Sequence, residues 1–239
     1  KELAFTTAGG TPFTGNREFW GRNIPWMNSG ELNLKTVRNV EGRITEKGLE
    51  NSSTKLIPRH CVLIGLAGQG KTRGTVATNE IEICTNQSIA AIFPGKEFNY
   101  QYLYYNLEFR YQELRELSDG GGGRGGLNLF LINNLEVPLP NLLEQGAISE
   151  ALSDIDKNIS TLTGQISKYE LFQIGLRTKL LTGAQRLFGF DAQWERECLG
   201  QLTDPVMGQS PLSGSYNKLG NGIPLVQGQA DIEKGFSLE

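Results

Sequence analysis

The chain has 239 residues, a formal net charge of −3, 38% hydrophobic residues and 21% charged residues. Such a composition suits a globular protein with a core of its own, and no apolar run approaches the roughly 20 residues that span a bilayer. Polar, glycine-rich N-terminal residues predict no signal peptide and no membrane partner. Cys61, Cys84 and Cys198 are far apart and not in C-x-x-C spacing, which argues against a disulfide framework or a metal site and fits a reducing, cytoplasmic compartment.

Residues 1 to 98 read as short strands, punctuated by "GGTP", "RNIPW", "LIPRH" and "FPG". The only histidine, His60, adjoins Cys61. Neighbours on a strand point to opposite faces, so a Cys/His nucleophile pair is not expected there. Charge is uneven along this region. Arg17 to Arg73 holds ten Lys/Arg against five Glu, whereas Gly74 to Gly120 holds three against seven acids. Such a split can create one positive face; the alternative, which charge alone favours slightly, is a mixed solvated surface.

"GLAGQGKT", residues 65–72, fits the P-loop pattern at Gly65, Gly70, Lys71 and Thr72. A working P-loop needs a strand before it and a helix after it, whose N-terminus meets the phosphates. Cys61–Ile64 supplies the strand. After Thr72, "RGTVATNEIEICT" alternates like a strand and is poor in helix formers. The apolar run "LFLIN" ends in Asn133 and offers no magnesium-binding Asp. The expectation is a glycine-rich loop between two strands, with Lys71 and Arg73 reaching outward from its tip and phosphate as a sensible partner.

Asn99 to Leu117 predicts one helix, with Leu103, Leu107, Tyr111 and Leu114 on a stripe. It stops at "SDGGGGRGG", which is either a linker or a loop that brings Arg124 to a ligand. "LEVPLP" reads as a last short strand. Then Ile148, Leu152, Ile155, Ile159, Leu162, Ile166, Tyr169, Gln173, Leu176 and Leu180 alternate in steps of four and three. This is a heptad seam that predicts a coiled coil over 142–181, about 60 Å long. The alternative is an amphipathic helix folded back on its own domain.

The sequence also repeats. Shifted by 199 residues, Leu3, Gly9, Pro12, Gly15, Gly21, Ile24 and Pro25 fall on Leu202, Gly208, Pro211, Gly214, Gly220, Ile223 and Pro224. The shared residues are mostly Gly and Pro, so the match concerns backbone geometry. One full unit, a long helix and the opening of a second unit are expected.

"GGTP…W…IPW", then "GQGKTRGTVA", then "LPNLLEQGAISEALSDIDKNI" resembles the DNA-specificity subunit of type I restriction-modification enzymes. Its most specific parts are "PLP-x-x-x-EQ" and the two-fold repeat. The resemblance implies an α+β chain, a small mixed α/β target-recognition domain of short strands and helices followed by a long coiled-coil helix. It divides the chain into a recognition domain at 1–140, a spacer helix at 141–185 and an incomplete second recognition domain at 186–239. It implies no enzyme activity and no cofactor, with double-stranded DNA, methyltransferase subunits and, through them, the restriction subunit as partners. The family has two recognition domains and two helices; this sequence has one helix, so a homodimer would restore the pair.

Lys35, Arg38, Lys71, Thr72 and Arg73 are the candidates for phosphate contact. Arg124 and Asn128 suit base edges, Arg for guanine and Asn for adenine. Trp26, Asn28 and Ser29 follow a repeated turn, and Trp26 is expected in the core. The seam residues for pairing are Ile148, Leu152, Ile155, Ile159, Leu162, Ile166, Tyr169, Leu176 and Leu180. Two rival functions remain, a P-loop nucleotide hydrolase and a purely structural coiled-coil adaptor.

Overall fold

Short strands between turns fill the first half of the chain in the computed structural model, which describes residues 4–68, 70–119, 126–217, 219, 221–223, 225, 232–233 and 236–237. They are β1 (Thr6–Ala8), β2 (Trp20–Met27), β3 (Thr36–Val37), β4 (Arg43–Ile44), a one-turn helix α1 (Glu46–Glu50), β5 (Val62–Gly65), β6 (Val76–Asn79), β7 (Cys84–Thr85) and β8 (Ile89–Ile92). One five-stranded sheet has the order β1-β8-β5-β6-β3, and a three-stranded sheet has the order β4-β2-β7. β5 is antiparallel to both its neighbours, with Leu63 opposite Ala77 on β6 and Ala91 on β8.

The central strands read as unbroken apolar runs because both faces of the sheet are covered. Val62, Ile64, Val76, Ala90 and Ile92 face a cluster with Leu103, Leu107, Leu114, Leu127 and Ile132. Leu63, Ala77, Ile89 and Ala91, each one residue out of step, face Met27, Leu32, Val37, Ile57 and Ile83. The period of two along a strand thus feeds two cores at once. Gly9 follows β1, where a Cβ would run into the carbonyls of Thr85 and Asn86.

The expected helix over 99–117 is two helices, α2 (Tyr100–Phe109) and α3 (Tyr111–Asp119). Arg110 ends α2 with φ −89° and ψ 19°. Its guanidinium binds the Glu136 carbonyl at 2.7 Å and Glu113 at 2.7 Å through Nε. That anchor turns the chain, so Leu114 still enters the core while Phe109 stays exposed. "LFLIN" forms α4 (Leu129–Asn133). "LEVPLP" forms no strand; its carbonyls go to side chains instead, Glu136 to Arg110 and Pro138 to Tyr102.

Next comes the long helix, α5 (Leu142–Leu181), with the expected bounds. The chain falls into two units, 1–169 and 170–239. The second unit holds the end of α5, the short α6 (Leu199–Leu202) and a hairpin of β9 (Ile232–Glu233) with β10 (Phe236–Ser237). Arg186 stacks on Trp194 at 5.0 Å and binds the Ala192 carbonyl at 2.9 Å. The repeat counterpart of β1, Pro205–Met207, forms no strand. Gly208, the match of Gly9, has nothing within 4 Å of its would-be Cβ.

Burial pushes the Cys61 thiol up to about 12 and the Cys84 thiol up to about 11, whereas Cys198 is exposed. The thiolate is the reactive form. A thiol reagent near pH 8 should therefore titrate one of the three cysteines in the folded chain and all three after denaturation. Fast labelling of two or more in the folded chain would show that the sheet is not closed around Cys61 and Cys84.

Candidate nucleic-acid interface

The P-loop match lies in a β-hairpin. Thr72 is followed by β6, antiparallel to β5, and not by a helix. The Gly65 N–H binds the Thr75 carbonyl and the Gly74 N–H binds the Gly65 carbonyl, each at 2.9 Å, so the ladder runs to the foot of the loop. A helix N-terminus aimed at a nucleotide is missing here, and nothing in the fold supports the hydrolase reading.

Three glycines set the path of the loop. Gly68, Gly70 and Gly74 have φ of +126°, +83° and +81°, in the region that side chains disfavour. Lys71 is exposed. Arg73 differs from its expected outward pose: it is half-buried, and its Nε is shielded from solvent. Thr72 is half-buried too, with its carbonyl against Gly65. Of the two cations expected at the tip, only Lys71 is fully presented.

The hairpin is tied to α3, a link the sequence did not reveal. The Tyr111 hydroxyl donates to the Lys71 carbonyl at 3.1 Å. Arg115 donates through Nη1 to the Gly70 carbonyl, and to the Tyr111 hydroxyl at 3.0 Å. Thr75 Oγ1 donates to the same Lys71 carbonyl at 2.5 Å. Gly126 also comes close to this hairpin, since a Cβ on it would sit 3.3 Å from the Leu66 carbonyl. Arg124 lies outside the described residues.

Lys35 and Arg38 belong elsewhere. They line an open cleft of about 790 Å³ with Tyr100, Tyr104, Tyr105, Asp156 and Lys157, between β3, α2 and α5. Lys35 pairs with Glu108 at 2.8 Å, and that hydrogen bond raises its pKa. Arg38 holds Glu80 in a fork of 2.7 and 2.9 Å, which raises its pKa likewise. Two cations of the basic first third thus pair with acids of the second third. A single positive face does not follow from the charge split. Exposed pairs of this kind contribute about 0–1 kcal/mol, so both cations stay available to a stronger anion at small cost.

Asn128 caps α4, its Oδ1 accepting from the Leu131 N–H at 2.9 Å. Reading adenine bidentately needs that oxygen as well as the amide nitrogen, so the cap occupies half of what such a contact requires. Asn28 caps the 3-10 turn Ser29–Leu34 in a box with Glu31, and Ser29 lies inside that turn. Trp26, expected in the core, is half-buried; it packs edge-on against Trp20 at 5.0 Å and donates to the Gly10 carbonyl at 3.0 Å.

α5 shows two stripes. Gln145, Ser149, Ser153, Asp156 and Ser160 face the first domain: Gln145 and Ser149 are buried, Tyr105 donates to Asp156 at 2.8 Å, and Ser153 and Ser160 line the cleft. Ile148, Leu152, Ile155 and Ile159 each sit one residue earlier, about 100° round the helix. The domain therefore grips a polar stripe and leaves the apolar one bare. Ile155, Ile159, Leu162, Ile166 and Tyr169 are 55–71% exposed; Ile148, Leu176 and Leu180 are half-buried. The fold-back alternative does not hold for this seam. No helix among the described residues is long and apolar enough to cross a membrane.

Comparison with known proteins agrees with this architecture. The model of the type I restriction modification DNA specificity domain matches residues 1–170. The EcoR124I/EcoR124II specificity subunit of Escherichia coli is 30% identical over 181 residues, which cover 74% of this chain and 44% of that protein. A putative MjaX specificity subunit of Methanocaldococcus jannaschii is 31% identical over 145 residues, 56% of this chain and 34% of that one. The HsdS subunit from Thermoanaerobacter tengcongensis has the same fold, with TM-score 0.51 and 20% identity over 67% of this chain and 37% of that one. The chain spans less than half the length of these relatives. The match over 1–170 places this chain in the family of type I restriction-modification DNA specificity domains.

Proposed function

We propose that this chain is a non-catalytic DNA-recognition subunit of a type I restriction-modification complex, reading one half of a split duplex site. Residues 1–140 act as the target-recognition domain, 141–185 as the spacer helix, and 186–239 as the opening of a second, incomplete recognition unit. The helix scaffolds methyltransferase subunits, which bring in the restriction subunit, and pairs with a second copy of the chain. The observation that carries the reading is the hairpin loop of residues 66–75, anchored at its base and presenting Lys71, within a stretch matched throughout by a DNA-specificity domain. Phosphate contacts from the loop set position, and Arg124 reads a base edge.

The test is duplex binding by the chain assembled with its methyltransferase subunits, followed across salt concentration. Each phosphate contact contributes about 0.9 to the slope of log K against log salt. Lys71→Ala should lower the slope by about that amount and weaken cognate and unrelated duplexes alike. An ATP analogue with magnesium should not bind through Lys71; micromolar binding lost in Lys71→Ala would restore the hydrolase reading. An adaptor that only pairs helices would show no salt-dependent duplex binding.

A further inference from the structure

We propose that Tyr111 and Arg115 are positioning residues that hold the hairpin loop so that the backbone N–H groups of Lys71 and Thr72, with the Lys71 ammonium, meet one phosphate of the DNA backbone. The inference rests on the DNA-recognition reading and adds a ligand group and two residues to it.

The two residues fix adjacent peptides. Arg115 holds the Gly70 carbonyl and Tyr111 holds the Lys71 carbonyl. A trans peptide is planar, so its N–H points opposite to its C=O. With both carbonyls drawn towards α3, the N–H of Lys71 and the N–H of Thr72 point away from it. Two successive outward N–H groups form an anion-binding concavity, and the exposed Lys71 side chain belongs to the same turn. The resemblance to a P-loop thus has a physical content: backbone N–H groups and a lysine, offered by a hairpin and not by a helix.

The loop cannot hold this pose by packing. Gly70 has nothing within 4 Å of its would-be Cβ, and glycine carries the largest backbone entropy of any residue. The Gly70 carbonyl is restrained from α3, and the Lys71 carbonyl from α3 and from Thr75 Oγ1; α3 is itself fixed, since Leu114 is fully buried and Arg110 clamps its start through Glu113. Gly74 lets the chain pass close by, its would-be Cβ lying 3.3 Å from Arg115 Cγ and 3.5 Å from Leu114 Cβ. Arg115 also lies over the Tyr111 ring at 5.6 Å, so the two support each other. Preorganisation of this kind removes an ordering cost from binding.

The experiment uses the full chain assembled with its methyltransferase subunits and compares Tyr111→Phe, Arg115→Met and Lys71→Ala on cognate and unrelated duplexes between about 50 and 200 mM salt. Tyr111→Phe removes one hydroxyl and keeps the ring. It should weaken binding about threefold to tenfold on every duplex, the effect of one hydrogen bond, lower the salt slope by about 0.9 and leave the unfolding midpoint in place. Lys71→Ala should cost less in the Tyr111→Phe background than alone, since both act on one phosphate. A full salt slope in Tyr111→Phe, or strictly additive losses, would overturn the proposal even if Arg115→Met failed to fold. A parent complex without salt-dependent duplex binding is a different result: it rejects the DNA-recognition reading itself.

Discussion

Replacing Ile155 and Ile159 together with Asp should convert a dimer of this chain into a monomer. Both residues lie on the bare stripe of α5 and are more than half exposed. Burying one such side chain completely contributes about 1.5–3 kcal/mol. Six seam residues from each of two helices, roughly half of each side chain still open, supply on the order of 9–18 kcal/mol. Association costs about 4–15 kcal/mol, so the balance favours pairing but not by a wide margin. Four carboxylates at the centre of the seam reverse it, because each must then be desolvated beside like charges. Antiparallel pairing is expected, since it sets the two recognition domains at opposite ends of the rod, whereas parallel pairing crowds them at one end. Sedimentation equilibrium at micromolar concentration decides. A monomeric parent refutes the pairing, and a dimer that survives both substitutions moves the interface off this stripe.

The helix that carries the seam was legible almost to the residue, and so was the strand-like character after Thr72. Both signals are periodic and sit in one continuous segment, where neighbours in sequence are neighbours in space. The break at Arg110 was not legible. The stripe of Leu103, Leu107, Tyr111 and Leu114 runs through it, and the cause is a carbonyl 26 residues away at Glu136. "LEVPLP" alternates like a strand, yet its carbonyls find side chains before they find a ladder. The cations told the least. Lys35, Arg38 and Arg73 look alike in sequence, but their partners or their burial come from distant elements. The tie between Tyr111, Arg115 and the loop spans 40 to 45 residues and leaves no local pattern. One trace of it was on the page: Gly74, where a helix must pass close to a hairpin.

"PLP-x-x-x-EQ" was the most specific stretch of the sequence, and Gln145 explains why: Gln145→Ala should lower stability by about 2–5 kcal/mol, the largest single-residue loss expected here. Its side chain is 1% exposed for the whole residue, and both ends of the amide are used. Oε1 accepts from the Asn99 N–H at 2.8 Å, and Nε2 donates to the Pro140 carbonyl at 2.7 Å. Asn99 is the N-cap of α2, its Oδ1 accepting from Gln101 and Tyr102. In a capping box the third helical residue returns a bond to the cap N–H; here that residue is Tyr102, whose hydroxyl goes to Pro138 instead. Gln145 on α5 closes the box from another helix, which couples the start of α2 to the start of the rod. Truncation takes the partner from the part-buried Asn99 N–H and Pro140 carbonyl, at up to about 1–3 kcal/mol each, and empties the buried space of the Gln145 side chain. For a chain of this size the unfolding midpoint should fall by on the order of 10 °C. Asp156→Asn is the control, because its bond to Tyr105 is solvent-exposed and should be worth under about 1 kcal/mol. Both are best measured in the Ile155→Asp, Ile159→Asp background, where protein concentration does not enter the midpoint. Equal midpoints for Gln145→Ala and Asp156→Asn would mean that the joint between domain and helix does not depend on this amide.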